Sequence, residues 1–173
     1  MIEYNHSLEH ITEKQALLET ARLTLKKEFV GIDNVIDQLV QSVTIWFLFP
    51  ELQERPVVVN LWGMTGVGKT ALVKRLAELI HFNNKMFRFD LGNSGANKSS
   101  MKDLLKENFL HHNGEPYMLV MDEFQFARTK DEDDREVSNS YSRVLWDLLD
   151  SGKFEAHRNA MNDLEDFAFV RNY

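Results

Sequence analysis

The spacing of apolar side chains predicts two amphipathic helices in the first fifty residues. Over Ser7–Glu28, apolar residues recur at steps of three, four and seven positions, which places them on one helical face. Gly31 interrupts the pattern, Asp33 is a suitable N-cap for a second helix, and Pro50 ends that helix. The second helix carries one broad apolar face, formed by Val35, Ile36, Leu39, Val40, Val43, Trp46 and Phe47. We expect both faces to pack in the core.

From Pro56 onward the pattern changes to short apolar segments that alternate with helical ones. Strands buried in a sheet are predicted for Val57–Trp62, Lys85–Leu91 and Tyr117–Met121. Helices are predicted for Thr70–Ile80, Ser100–Leu110 and Ser138–Asp150, with weaker helical spacing over His157–Tyr173. This alternation predicts an α/β fold: a parallel sheet flanked by helices and preceded by a helical N-terminal segment.

Composition excludes several classes of protein. Hydrophobic residues make up 43% and charged residues 27% of the 173 positions, as is usual for a globular domain. The net charge of −7 gives no indication of a surface that binds nucleic acid or a membrane. The most apolar run, Val43–Phe49, is much shorter than the roughly eighteen residues of a membrane-spanning helix. The absence of cysteine excludes disulfides, and we expect a cytoplasmic protein.

The segment Gly63–Thr70 fits the phosphate-loop pattern G-x-x-x-x-G-K-[ST]. Its glycines let the backbone curl so that successive N–H groups face a di- or triphosphate. Lys69 supplies a positive charge for the β and γ phosphates, and the Thr70 hydroxyl is a hard oxygen ligand for Mg²⁺. The alternative, a glycine turn that happens to precede a lysine, is disfavoured because a predicted strand precedes the loop and a predicted helix follows it.

Two carboxylates follow the apolar run Tyr117–Met121. Asp122 and Glu123 are predicted at the carboxyl end of a buried strand, the edge of an open α/β sheet where ligands bind. Asp122 is suited to hold the water shell of Mg²⁺, and Glu123 to orient or deprotonate an attacking water. Such a pair alone is common at solvated strand ends, but behind a phosphate loop it indicates cleavage of a γ-phosphate.

Gly63–Thr70 and Leu119–Glu123 together resemble the Walker A and Walker B motifs of the AAA+ ATPases. Phe29–Asp33 looks like the "V-G" segment that these ATPases place against adenine, and Leu148–Phe154 is similar to a helix end found after Walker B, particularly in the Clp-like branch. The resemblance implies ATP and Mg²⁺ as cofactors, with Glu123 and Lys69 catalytic and Thr70 and Asp122 at the metal. It implies that ATP contacts Val30, Gly31, Gly63, Met64, Thr65, Gly66, Val67, Gly68, Lys69, Thr70 and Ala71.

The chain also departs from this family. We find no β-branched run after Glu155 that fits the family's fourth strand, and no identifiable arginine finger or helical lid. We therefore expect a portion of a longer polypeptide: a helical segment over 1–28, a partial nucleotide-binding core over 29–155, and a helical tail or the start of an insertion over 156–173. The segment Gly92–Lys98 lacks the aromatic residue of a pore loop that threads polypeptides, which weakens that interpretation.

Three functions are compatible with these residues. The first is an ATP-hydrolysing module in a homo-oligomeric ring with sites between subunits, which leaves room for a further protein partner. The second is a signalling switch of the STAND class, which segment Leu61–Thr70 also resembles. STAND proteins commonly carry a second Asp after the first, whereas Glu123 suits a water-activating base, so hydrolysis is favoured. The third, a scaffold with a vestigial pocket, is disfavoured because Lys69, Thr70 and both carboxylates are intact.

Overall fold

The computed structural model describes residues 7–53, 55–64, 66–90, 116–123, 149–150, 153–156 and 167–170. The chain divides into two units. The helical unit consists of Glu3–Gln53 and Val57–Met86, and the strand unit of Met1–Ile2, Glu54–Pro56 and Phe87–Tyr173. The phosphate loop therefore belongs to the helical unit, and the pair Asp122 and Glu123 to the strand unit.

Two long helices, α1 (Leu8–Glu28) and α2 (Asp33–Leu48), open the helical unit and pack on each other. The Ser7 side chain caps α1 by accepting a hydrogen bond from the His10 N–H at 3.3 Å. The buried side chains of the two helices are Leu18, Ala21, Leu25, Ile36, Leu39, Val40, Val43, Trp46, Phe47 and Leu48. Both helices are confirmed, although Asp33 is the first helical residue rather than the N-cap, a place taken by Ile32.

A third helix, α3 (Lys69–Leu79), completes this core and confirms the helix predicted after the phosphate loop. It buries Leu72, Leu76 and Ala77, and it also packs on α1. The chain then returns through Phe82, whose ring meets the Trp46 ring edge-to-face at 5.0 Å and the Phe47 ring at 5.9 Å. Two short 3₁₀ turns, Pro50–Leu52 and Asn83–Lys85, connect these elements.

An ion-pair network joins α1 to α2 beside this core. Asp37 on α2 accepts from Arg22 at 2.8 Å, and Lys26 Nζ lies 2.7 Å from the same carboxylate. Arg22 also contacts Glu19 at 2.6 Å. The hydrogen bond from Lys26, followed by the one from Arg22, lowers the pKa of Asp37 below its ordinary 3.8.

This network predicts a pH-dependent contribution to stability. A carboxyl whose pKa is lower in the folded state stabilises the fold above its ordinary pKa, and the contribution is lost as the pH falls through the folded value. We expect Asp37→Asn to unfold at lower urea concentration than the parent at pH 7, and the difference between the two midpoints to shrink as the pH falls below 3.8 toward the lower folded-state pKa. Asp33→Asn, at the start of the same helix, is the control. A midpoint difference that does not shrink as the pH is lowered from 7 into the acid range would contradict the assignment.

A two-stranded parallel sheet of β1 (Met86–Asp90) and β2 (Met118–Asp122) belongs, except for Met86, to the strand unit. These strands confirm two of the three predicted segments. Phe89 and Tyr117 are buried, and the rings of Phe87 and Tyr117 lie 5.2 Å apart. Because the two strands are parallel, their carboxyl ends lie at the same edge of the sheet.

The third predicted strand, Val57–Trp62, is not formed. Within the described ranges, strands pair only as β1 with β2 and as β3 (Lys153–Ala156) with β4 (Phe167–Val170). Segment 57–62 has no ladder, and Val58, Val59 and Trp62 are exposed, Trp62 to 91%. The expectation of a strand buried on both faces is wrong here because such a strand requires hydrogen-bonded neighbours, which apolar composition alone does not supply.

Helical spacing over His157–Tyr173 is a second expectation that the structure corrects. Strand β4 pairs antiparallel with β3, with Lys153 opposite Val170 and Ala156 opposite Phe167. The sequence of β4 alternates Phe-Ala-Phe-Val, and aromatic and β-branched residues fit a pleated strand that has a partner. The helical interpretation is therefore wrong for these four residues.

Other predictions fall on residues that the structure does not describe. The helix predicted over Ser100–Leu110 lies outside them, as does the loop Gly92–Lys98. Of the helix predicted over Ser138–Asp150, only Leu149 and Asp150 are described, and both are helical. In the described part of the chain, no helix combines the length and apolarity needed to span a membrane.

Candidate functional site

The phosphate loop enters α3 through backbone conformations that glycine favours. Gly66 has φ +86° and Gly68 has φ +88°, both in the left-handed region where a Cβ is strained. A side chain at Gly68 would also approach the Phe29 ring, with its Cβ 4.0 Å from Phe29 Cε1. The glycine spacing in the sequence therefore matches two backbone requirements of the loop. Thr65 lies outside the described residues.

The N-terminus of α3 begins without a side-chain cap from its N-cap residue. Gly68 is the N-cap and provides no side-chain hydrogen bond to the first-turn amides. Its carbonyl accepts the Leu72 N–H at 2.9 Å, which begins the helical ladder. Amide N–H groups at such an end carry a partial positive charge and bind phosphate oxygens.

Lys69 lies over its own loop. Its Nζ donates to the carbonyl oxygens of Gly63 and Met64, both at 2.8 Å. These hydrogen bonds hold the ammonium beside the loop residues that the sequence assigns to phosphate binding. Phosphate oxygens are stronger acceptors than carbonyls because they are charged, and they would compete for the same donors.

The remaining predicted loop residues differ in their exposure to solvent. Thr70 is the second residue of α3 and is partly buried, whereas Ala71, Met64 and Val67 are exposed. The Thr70 hydroxyl of the helical unit and, separately, the Asp122 carboxylate of the strand unit are each a hard oxygen donor, the ligand class that Mg²⁺ prefers. The side chains present therefore fit a magnesium nucleotide chemically.

The segment predicted to contact adenine lies against the phosphate loop. The Phe29 ring is the one that a Cβ at Gly68 would approach to 4.0 Å. The residue before it, Glu28, forms an ion pair with Arg75 of α3. Arg75 donates to both oxygens of Glu28 at 2.8 Å. Val30 is 87% exposed and Gly31 has φ +87°. The structure thus brings Val30 and Gly31 into the same unit as the loop.

Asp122 and Glu123 stand at the end of β2, in the strand unit. The Asp122 Oδ2 accepts from Arg88 Nη2 at 2.7 Å and from Arg88 Nε at 3.1 Å. Its Oδ1 accepts from the Glu123 N–H at 3.2 Å. Glu123 has φ +56°, a left-handed conformation that is costly for a residue with a Cβ. Non-glycine residues held in such conformations are concentrated at functional sites.

Sequence reasoning missed Arg88. It occupies the middle of β1, between Phe87 and Phe89, and the strand pattern treats it as one polar position of an alternating segment. The available signal was a cation two residues before Asp90, on the same strand face. Its pairing with Asp122 spans 34 positions and follows only from strand pairing.

Comparison with known proteins decides the family. Residues 59–162, more than half of the chain, match the ATPase family associated with various cellular activities (AAA). The chain belongs to this AAA family. The matched range includes the phosphate loop, Arg88, Asp122 and Glu123, whereas Val30 and Gly31 lie before it, so their contact with adenine stays a prediction.

Several individual proteins resemble the AAA chain over less than half of its length. A chaperone protein ClpB of Mycoplasma pneumoniae is 38% identical over 82 residues, 46% of this chain and 11% of that protein. A mitochondrial Lon protease homolog of Phaeodactylum tricornutum is 31% identical over 81 residues, 47% of the chain and 9% of that protein. A Lon protease of Clostridium beijerinckii is 35% identical over 75 residues, 43% of the chain and 9% of that protein.

The AAA chain thus matches about a tenth of the length of these relatives. Both ClpB and Lon proteins match, so the Clp-like branch indicated by the sequence stays a prediction. No solved structure is significantly similar to the chain.

Proposed function

We propose that the AAA chain binds ATP with Mg²⁺ and hydrolyses it at the γ-phosphate. The observation that carries this proposal is the phosphate loop: left-handed Gly66 and Gly68 lead into the N-terminus of α3, and Lys69 Nζ donates to two carbonyl oxygens of the loop. Backbone donors, a helix terminus and an ammonium group here all favour a polyphosphate.

Each proposed role follows from the chemistry of its side chain. Lys69 neutralises charge on the β and γ phosphates, and its two carbonyl contacts at 2.8 Å are weaker bonds that a charged oxygen can replace. Thr70 and Asp122 provide oxygen donors for Mg²⁺, which when bound neutralises charge that develops on the phosphoryl oxygens. Glu123 accepts the proton of the attacking water.

A switch of the STAND class is the second candidate. It would use the same loop and the same Mg²⁺ donors but turn over slowly. Glu123 favours hydrolysis because a carboxylate directly after Asp122, one methylene longer than a second aspartate, can act as a base. Phosphate release from ATP, measured with Mg²⁺ and with EDTA, separates brisk Mg²⁺-dependent turnover from binding without turnover.

We also propose that the chain assembles into a homo-oligomeric ring, in which a neighbouring subunit supplies a catalytic arginine. An arginine contributed in trans is worth about 10³–10⁵ in rate. We therefore expect specific ATPase activity to rise with protein concentration, in parallel with the mass measured by light scattering. A monomer with fast turnover at every concentration would contradict the ring. Remodelling or assembly of another protein is the process we propose for the ring to drive.

A further inference from the structure

The guanidinium of Arg88 donates two hydrogen bonds to a single carboxylate oxygen of Asp122. Both Nη2, at 2.7 Å, and Nε, at 3.1 Å, donate to Oδ2. Arg88 comes from the middle of β1 and Asp122 is the last residue of β2, so the contact bridges the two strands of the parallel sheet. The donors of a guanidinium have a fixed planar arrangement, so this contact fixes the orientation of the Asp122 carboxylate as well as its distance from Arg88.

The other oxygen of the Asp122 carboxylate accepts a hydrogen bond from a different residue. Oδ1 accepts from the Glu123 N–H at 3.2 Å, in the residue whose backbone is left-handed at φ +56°. Rotation of the Asp122 carboxylate about its Cβ–Cγ bond would break the contacts at both oxygens. The plane of the carboxylate is therefore fixed by Arg88 on one side and by the strand terminus on the other.

Stability alone is a weak explanation for this arrangement. The Arg88 side chain is 43% exposed and that of Asp122 is 20% exposed, and ion pairs open to solvent contribute little to folding. Orientation of a ligand is a different matter. A residue that holds a metal-binding side chain in place typically changes metal affinity by about 10- to 100-fold when it is removed.

We propose that Arg88 is a positioning residue that holds the Asp122 carboxylate in the orientation required for Mg²⁺ binding. This inference rests on the proposed function, in which Asp122 is the magnesium donor. Arg88 acts through Asp122. Its positive charge lowers the local negative potential, so its benefit comes from orientation and not from attraction of the cation.

The test measures how much Mg²⁺ the protein needs in order to bind nucleotide, by calorimetric titration with a non-hydrolysable ATP analogue at a series of Mg²⁺ concentrations. We expect Arg88→Gln to require about tenfold more Mg²⁺ for half-maximal affinity. Affinity measured in EDTA should equal that of the parent, since Arg88 is not assigned to the phosphates. Damage to the fold would lower both affinities.

Two variants serve as controls for charge and geometry. Arg88→Lys keeps the charge but not the planar pair of donors, so we expect a shift between those of the parent and Arg88→Gln; if Arg88→Gln fails to fold, this shift decides the matter. Arg22→Gln on α1 removes an arginine that pairs with Glu19 and Asp37, and it should leave the Mg²⁺ requirement unchanged.

Asp122→Asn separates failure of the inference from failure of the proposed function. If Asp122→Asn raises the Mg²⁺ requirement and the Arg88 variants do not, the positioning role is overturned and Asp122 remains a magnesium donor. If Arg88→Gln tightens Mg²⁺ binding, Arg88 competes with the metal and the inference is wrong. If Asp122→Asn leaves the requirement unchanged, the magnesium assignment and the inference both fail. In the expected case, adding Arg88→Gln to Asp122→Asn has no further effect.

Discussion

Replacing Lys69 with alanine is expected to remove most of the affinity for ATP. The Lys69 ammonium is held at the loop by the carbonyls of Gly63 and Met64, so it is already in place for the phosphates. A hydrogen bond to a charged group contributes about 1.5–3 kcal/mol. Loss of this contact should therefore raise the dissociation constant for ATP by roughly 10- to 100-fold, as measured by calorimetric titration in the presence of Mg²⁺.

Lys74→Ala is the matched control for this prediction. Lys74 is exposed on the same helix, α3, and its removal changes the net charge by the same amount. Its affinity for ATP should stay within a factor of about two of the parent, because exposed charges are screened by salt. Equal affinity in the parent and Lys69→Ala would mean that the nucleotide binds elsewhere.

The helices were accessible to sequence analysis because each one carries its own evidence. The apolar face of α2 recurs at helical spacing from Ile36 to Phe47, and Pro50 ends the pattern where the helix ends. Apart from Ile32 at the N-cap of α2, the bounds of α1, α2 and α3 differ little from those predicted. Helical periodicity is a local property, and packing of the resulting faces requires only that they meet.

Strands depend on partners that can be distant in the chain, and the sequence was therefore less informative about strands. Strand β1 pairs with strand β2. Segment Val57–Trp62 has the same apolar character but pairs with no strand among the described residues. In Phe167–Val170, the pairing with Lys153–Ala156 overrides weak helical spacing. Composition indicates that a segment can be a strand, and only pairing makes it one.

The candidate site divides in the same way. Gly66, Gly68 and Lys69 could be predicted because a phosphate loop is contiguous in sequence and its physical requirements are local. The ion pairs of Arg88 with Asp122 and of Arg75 with Glu28 could not, since they join residues 34 and 47 positions apart. No motif spacing encodes such a contact; it follows from strand pairing in one case and helix packing in the other.

Glu123→Gln is expected to keep ATP binding and to lose hydrolysis. The amide has the shape of the carboxylate and can still form a hydrogen bond with water, but it cannot accept the water proton, and removal of such a base lowers the rate by about 10²–10⁴. Glutamine also keeps the Cβ, so the left-handed backbone at φ +56° carries the same strain in both proteins. The substitution therefore isolates proton transfer from the conformation of the β2 terminus.

Binding and turnover must be measured together, because only their separation identifies a base. The dissociation constant for ATP should match that of the parent within about twofold, while phosphate release falls by the factor given above. Glu13→Gln, on an α1 side chain 71% exposed, is the control for the loss of one carboxylate and should hydrolyse at the parent rate. If Glu123→Gln also hydrolyses at the parent rate, Glu123 is not the base. The residue after Asp122 then no longer favours hydrolysis over a nucleotide-dependent switch, and slow turnover in the parent would support the switch.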